Sequence, residues 1–210
     1  MHSMKPEEYA RALYGDVEVA PCPFTDDERR DLERTQELLV YVPAKMRATE
    51  MCRRWGFQAN ADFDADRLIR YTMTEESHWF VASASRTPEL MYKSAVAARR
   101  QYEDEGLHGM VVRRYLAFAA THRLVFDTLP DQSYWTFLLS GAYDRSGISI
   151  LGFDAHGHLS HHGWMKDFKA KFVGSRYAVL PPRLEINEHT HALPRAYRGG
   201  GRNGREADMD

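Results

Sequence analysis

The chain has 210 residues, of which 43% are hydrophobic and 12% aromatic, so it can bury a sizeable core and is not a disordered polymer. Its formal net charge of -2 at pH 7 is too small to indicate a partner. No apolar run is long enough to span a bilayer, which is not typical of a membrane protein. The two cysteines lack CxxC spacing and are too few for a disulfide framework. We therefore expect a cytoplasmic protein without a membrane partner.

The charges are separated along the chain. Residues 1–37 carry ten acidic side chains against five basic ones, whereas residues 160–185 carry five basic against two acidic. The distribution of charge therefore indicates an anionic partner for the C-terminal part, although the total does not.

The first 43 residues are expected to form an N-terminal arm and one well-signalled helix. The arm covers residues 1–24 and contains a short helix at Pro6–Tyr14. Thr25 is followed three residues later by Glu28, the spacing of a capping box, so a helix is predicted to begin there. Pro43 should end or interrupt it, because proline lacks the backbone N–H that a helix interior needs.

Four more helices are predicted before residue 127, at 44–55, 65–73, 87–105 and 109–126. Gly56 should stop the first of them, and Thr87 followed by Pro88 and Glu89 is a strong start for the third. The last is apolar over most of its circumference and is expected to be the central buried helix. Residues 78–85 fit either a strand or a helix.

The C-terminal part changes character to strands, predicted at 134–139, Gly147–Phe153, 158–165 and 172–180. Helices followed by a run of strands predict an α+β fold, in which an N-terminal layer of about five helices packs on an antiparallel sheet of about four strands. We expect one domain over 25–185, with its helical part at 25–127 and its sheet part at 133–180. Residues 186–210 should be an extension that is disordered from about 197.

A histidine cluster dominates residues 154–164. If 154–157 form a hairpin turn, strand alternation places His158 and His162 on one face and His161 on the other. His158 and His162 then lie about 13 Å apart, at about 3.3 Å per residue, which is too far for one zinc ion. The metal-ligand candidates are therefore His156 and His158, with Asp154 or the C-terminal His189 and His191 as a third ligand. Solvated turn histidines and a proton-transfer role are the alternatives.

Adjacent arginines and a lysine-rich segment are the candidates for contact with an anionic partner. The arginine pairs other than Arg29–Arg30 are Arg53–Arg54, Arg99–Arg100 and Arg113–Arg114, which fit either solvated helix faces or a phosphate-binding surface. Lys166, Lys169 and Lys171 alternate with Phe168 and Phe172. On a strand this is ordinary half-buried alternation, or else a surface on which nucleobases stack.

Two weaker patterns remain. Residues 44–70 resemble a helix-turn-helix in outline, but the connection is long and acidic. Glu75 and Glu76 lie beside His78, the combination that acid–base catalysis uses. Familiar nucleotide-binding, serine-hydrolase and zinc-protease motifs do not occur in the sequence.

The sequence leaves three functional hypotheses, and no cofactor is predicted apart from zinc or another divalent metal at the histidines. The first is a non-enzymatic binding or regulatory module for a protein or nucleic acid partner. Its candidate contacts are Arg53, Arg54, Arg99, Arg100, Arg113, Arg114, Lys166, Lys169 and Lys171. The second is a small, metal-dependent or metal-free enzyme that uses His78, Asp154, His156 and His158. The third is a structural or assembly protein.

Overall fold

A computed structural model describes residues 5–59, 76–142 and 147–180, with the backbone alone at 140–142. The described residues form five helices and eight strands. The helices are α1 (Pro6–Tyr14), α2 (Asp26–Arg34), α3 (Ala48–Trp55), α4 (Ala95–Asp104) and α5 (Val112–Phe126). The strands are β1 (Glu37–Val42), β2 (His78–Ser83), β3 (His108–Gly109), β4 (Trp135–Ala142), β5 (Gly147–Phe153), β6 (Leu159–Met165), β7 (Val173–Ser175) and β8 (Tyr177–Ala178). The α+β class is confirmed.

A four-stranded sheet forms the C-terminal half, in the order β6-β5-β4-β7. Adjacent strands in this sheet are antiparallel except for β4 and β7. These two run parallel, with Trp135 opposite Val173 and Phe137 opposite Ser175. Strands β1 and β2 form a separate antiparallel pair, and β3 pairs with β8. The segment expected to be helical thus also contains strands, and the sheet is mixed rather than wholly antiparallel.

The four-stranded sheet packs a hydrophobic cluster on each face. Leu151 and Phe153 of β5 join the larger cluster, with α5 and the β1–β2 pair. Ile148 and Ile150 point the other way, into a smaller cluster with α4. This is the period-two alternation of a strand that is buried on both sides. Helix α5 is buried at every position from Val112 to His122, as expected of the central helix.

The helix predicted to begin at Thr25 is shorter than expected. The capping box is present: the Glu28 backbone N–H donates to the Thr25 hydroxyl at 3.3 Å, and the Glu28 carboxylate accepts from the Thr25 N–H at 2.7 Å. However, α2 ends at Arg34, Gln36 has a positive φ of 57°, and residues 37–42 form β1 instead. Helix α2 buries none of its residues, whereas β1 is an apolar run that gains a full ladder with β2. Tertiary pairing outweighs helical continuation here.

The predicted helix at 87–105 begins eight residues late, at Ala95 with Ser94 as its N-cap. Leu90 and Tyr92 have positive φ values of 45° and 61°, which a helix excludes. The backbone of this segment bonds to β7 instead: the Ser175 N–H donates to the Glu89 carbonyl at 2.9 Å. Competition from a sheet edge explains the difference.

Several expectations lie outside the described residues. They concern the helix at 65–73, the second half of the helix-turn-helix outline, Glu75, His189, His191 and the C-terminal extension. In the part of the chain that the structure describes, no helix has the length and apolarity to cross a membrane.

Candidate anion-binding surface

The predicted hairpin turn is present, and Asp154 closes it. Gly157 has a φ of +82°, and its N–H donates to the Asp154 carbonyl at 3.0 Å. Oδ1 of Asp154 accepts the backbone N–H groups of His156 and His158 at 2.9 and 2.8 Å, and Oδ2 lies 3.2 Å from His158 Nδ1. The His158 N–H, helped by that of His156, holds the pKa of the Asp154 carboxyl below its usual range. Asp154 is thus a turn-forming residue as well as a candidate catalytic one.

The two turn histidines lie side by side, with ring centroids 6.1 Å apart. Within the described ranges, no group of three or more His, Cys, Asp or Glu side chains is arranged to hold a metal ion. His156 and His158 remain a pair of candidate ligands, with Asp154 already bonded to their backbones. A metal there would compete with the turn for the same carboxylate.

The expected division of the other histidines between two faces is present. His162 is exposed, and its ring lies against that of Trp135, with centroids 4.9 Å apart. His161 points to the other face, where burial lowers its pKa to about 4. His161 and His162 are therefore directed to opposite faces, whereas His156 and His158 lie together at the turn.

His78 lies at the start of β2, on a different sheet from the hairpin. It is buried, and its Nε2 accepts from the Nε–H of Arg114 at 3.2 Å while Nδ1 faces the Glu76 carbonyl at 3.3 Å. Burial, with the positive charge of Arg114, lowers the pKa of His78 to about 3. The lone pair on Nε2 of the neutral ring thus accepts the hydrogen bond from Arg114, and His78 links β2 to α5.

The arginine pairs divide between the interior and the surface. Arg113 and Arg114 are buried, since α5 faces the protein on every side, and Arg113 donates to the carbonyl of Pro43. This differs from the solvated or phosphate-binding face that adjacent arginines predict. Arg54 donates to the Leu13 carbonyl at 2.9 Å, and Arg99 donates to the carbonyl of Leu139. Arg53 and Arg100 are exposed, and so is Arg54 despite its bond to Leu13.

The candidate lysines lie on a connection rather than on a strand. Strand β6 ends at Met165 and β7 begins at Val173, so residues 166–172 form the link between them. Buried Ala170 anchors the link, and the N–H of Val96 at the start of α4 donates to the Lys166 carbonyl at 3.3 Å. We call residues 164–172, which are the last two residues of β6 and this link, the Lys–Phe loop.

The Lys–Phe loop exposes both its lysines and its apolar side chains. Lys166, Lys169 and Lys171 are exposed, and Asp167 is the acidic residue among them. Met165, Phe168 and Phe172 are 64%, 50% and 45% exposed. Trp164 supports the two phenylalanines, with ring centroids 5.8 Å from Phe168 and 5.7 Å from Phe172.

Exposed apolar side chains are concentrated at this loop. Of the seven large hydrophobic side chains that are exposed among the described residues, three belong to the loop and two border it, because Tyr92 and Val96 bond to the backbone of Val173 and Lys166. Singly exposed hydrophobic residues are ordinary, whereas a contiguous group marks a contact surface. The loop combines such a group with three positive charges.

A buried charged cluster was not foreseen from the sequence. Arg176 and Asp131 are 1% and 0% exposed, and Glu89 lies beside them, with its Oε1 3.6 Å from Arg176 Nη1. The guanidinium lies over the Phe118 ring, 4.6 Å from its centroid. Burial raises the pKa of Glu89, and Arg176 opposes that rise. In the sequence Arg176 is one of five basic residues in 160–185. No local pattern indicates that its partner is Asp131, which lies 45 residues away.

Comparison with models of protein families, with curated proteins and with solved structures finds no match for this chain. Any functional conclusion must therefore come from the geometry of the chain itself.

Proposed function

We propose that the protein is a non-enzymatic binding module that contacts an anionic partner through the Lys–Phe loop. The observation that carries the proposal is the coincidence of three exposed lysines with half-exposed Phe168 and Phe172 on one short connection. Lysine attracts anions as a mobile point charge, while exposed rings provide contact area without a charge of their own.

We propose a smaller set of contacts than the sequence suggested. Arg113 and Arg114 serve the interior, and Arg54 and Arg99 bond to backbone carbonyls, so these four residues are left out of the proposed contact surface. Arg100 is exposed on α4, the helix whose first turn bonds to the Lys166 carbonyl through Val96, and we keep it as a candidate contact.

The proposed setting is cytoplasmic. Cys22 and Cys52 are both thiols, which accords with the reducing environment that low cysteine usage suggests. An enzymatic role is the less favoured alternative, because the Asp154 carboxylate is hydrogen-bonded within its turn and His78 accepts from Arg114.

The test is salt-dependent retention on immobilised heparin. We expect the protein to bind at about 20 mM NaCl and to elute as salt screens the lysines. The triple variant Lys166→Gln, Lys169→Gln, Lys171→Gln should elute at clearly lower salt. The matched control is Arg11→Gln, Arg30→Gln, Arg34→Gln, which removes three exposed charges from α1 and α2.

The control separates a local site from net charge. Equal losses in the two triple variants would show that total charge governs retention and would overturn the proposal. Failure of the unaltered protein to bind at low salt would overturn it as well.

A further inference from the structure

The aromatic rings beside the lysines form a row on one face of the four-stranded sheet. His162 and Trp164 lie two residues apart on β6 and therefore share a face. The ring of Trp135, from β4, contacts His162 at one end of the row. Trp164 contacts both Phe168 and Phe172 at the other end. The row thus runs from the middle of the sheet to the Lys–Phe loop.

We propose that the anionic partner is a single-stranded nucleic acid. Its bases stack on Phe168 and Phe172, and its phosphates meet Lys166, Lys169 and Lys171. This inference rests on the anion binding proposed above and adds the chemical class of the partner. Stacking of bases on aromatic side chains next to a positively charged track is the general mode of single-strand binding.

The two phenylalanines are suited to stacking because one side of each is already supported. Each ring contacts Trp164 and is about half exposed, so the contact with Trp164 leaves ring surface open to solvent. Trp164 is itself half-buried and packs against the smaller hydrophobic cluster. A ring held in place before binding loses little conformational entropy when a base stacks on it.

Other anionic partners would not use both the lysines and the aromatic rings. A nucleic acid duplex keeps its bases stacked inside, away from side-chain rings. An acidic peptide offers charge to the lysines but need not offer a planar group to the rings. A bilayer surface would use apolar side chains at a protruding tip, whereas this row continues along β6 to His162 and Trp135.

The row indicates a short binding site. Two bases stack on Phe168 and Phe172, and three phosphates meet Lys166, Lys169 and Lys171, all within seven residues of the chain. We expect a footprint of about four nucleotides, at the low end of the range for single-strand sites. Three lysine–phosphate contacts predict a slope of about -2 in a plot of log affinity against log salt.

The experiment compares four probes by fluorescence anisotropy and sedimentation: a labelled twelve-nucleotide oligothymidylate, the corresponding duplex, heparin, and vesicles that contain phosphatidylserine. We expect the single strand to bind more tightly than the duplex. The variant Phe168→Leu, Phe172→Leu keeps apolar side chains but removes both rings. It should weaken oligothymidylate binding at least about tenfold, as loss of stacking predicts. Heparin elution should be unchanged.

The control for the ring deletion is Phe126→Leu, which removes an exposed phenylalanine at the end of α5. The inference is overturned if the duplex or the vesicles bind as tightly as the single strand. It is also overturned if the double leucine variant binds oligothymidylate normally. In each case continued retention on heparin would leave the proposed function standing, and loss of all anion binding would remove both.

Discussion

Arg176 donates to both carboxylate oxygens of Asp131 in the interior of the protein. Nη2 lies 2.6 Å from Oδ1, and Nε lies 3.2 and 3.0 Å from Oδ1 and Oδ2. The Thr136 hydroxyl donates to Oδ2 at 2.7 Å, and Arg176 also donates to the Ser85 carbonyl at 2.9 Å. Burial favours the neutral form of arginine, but the charge of Asp131 outweighs it and raises the Arg176 pKa. These bonds join three connections: the one from β2 to α4, which contains Ser85, the one from α5 to β4, which contains Asp131, and the one from β7 to β8, which contains Arg176.

Asp131→Asn should strongly destabilise the protein, because it leaves a buried guanidinium without its full counter-charge. We expect a loss of about 3–5 kcal/mol in the free energy of unfolding. Urea titration monitored by tryptophan fluorescence measures it. The control is Asp27→Asn, which breaks an exposed pair with Arg30 and should cost less than about 1 kcal/mol. Similar losses in the two variants would contradict a special role for the buried pair.

His78 should make stability fall as the pH falls. The native histidine takes up a proton only near pH 3, whereas an unfolded histidine does so near 6.5, so the unfolded state binds more protons between these values. The contribution is complete above about pH 6.5 and is reduced by about 2 kcal/mol at pH 5.

The variant that isolates this effect is His78→Gln, whose amide oxygen can accept from Arg114 but does not titrate. Urea unfolding at pH 7 and pH 5 should show a smaller difference in the variant than in the unaltered protein, by about 2 kcal/mol. The same pH dependence in both proteins would show that His78 is not the group responsible.

Gly174→Ala should destabilise the junction between β7 and residues 88–91. A Cβ atom at position 174 would lie 2.4 Å from the Glu89 carbonyl oxygen and 2.9 Å from Cβ of Pro88. The backbone must move to admit it, at a cost of about 1–3 kcal/mol.

The comparison variant is Gly106→Ala, where φ is +67° but the space for a side chain is open. The left-handed conformation alone should cost about 1 kcal/mol there. Thermal unfolding of both variants distinguishes crowding from backbone strain. If Gly174→Ala is the milder change, the close approach of these two segments is wrong.

Asp154→Ala should loosen the hairpin between β5 and β6, because two backbone N–H groups lose a charged acceptor. The variant should unfold at a lower denaturant concentration than the unaltered protein. His156→Ala removes an exposed ring from the same turn and should change stability by less than about 0.5 kcal/mol. Chemical denaturation measures both, and equal effects would argue against Asp154 as the residue that forms the turn.

Local signals in the sequence predicted much of this fold. Strand β5 has the predicted bounds Gly147–Phe153, the capping box of Thr25 and Glu28 is formed, and period-two alternation separates His161 from His162. Each of these depends on residues that are close together in the sequence. The candidate lysines were also found, although on a connection rather than on a strand.

Features that depend on distant partners could not be predicted in this way. Residues 37–42 were expected to prolong a helix, but this apolar run forms a full ladder with β2, which is about 40 residues away in the sequence. Two adjacent arginines suggest a solvated face, whereas Arg114 is buried against His78, 36 residues away. The same limit hides the parallel pairing of β4 with β7 and the partner of Arg176. A local pattern indicates the secondary structure of a residue, but it does not indicate which distant residue packs against its side chain.

The last strands have a consequence for the order in which the protein is made. Strand β7 pairs with β4, β8 pairs with β3, and Val179 exchanges two backbone hydrogen bonds with Val81 at 2.8 and 3.0 Å. All three partners are synthesised much earlier. Each of them lacks this pairing until residues 173–180 have been synthesised. Native packing is therefore completed only after translation has passed this point, and until then one edge of each earlier partner lacks its native neighbour.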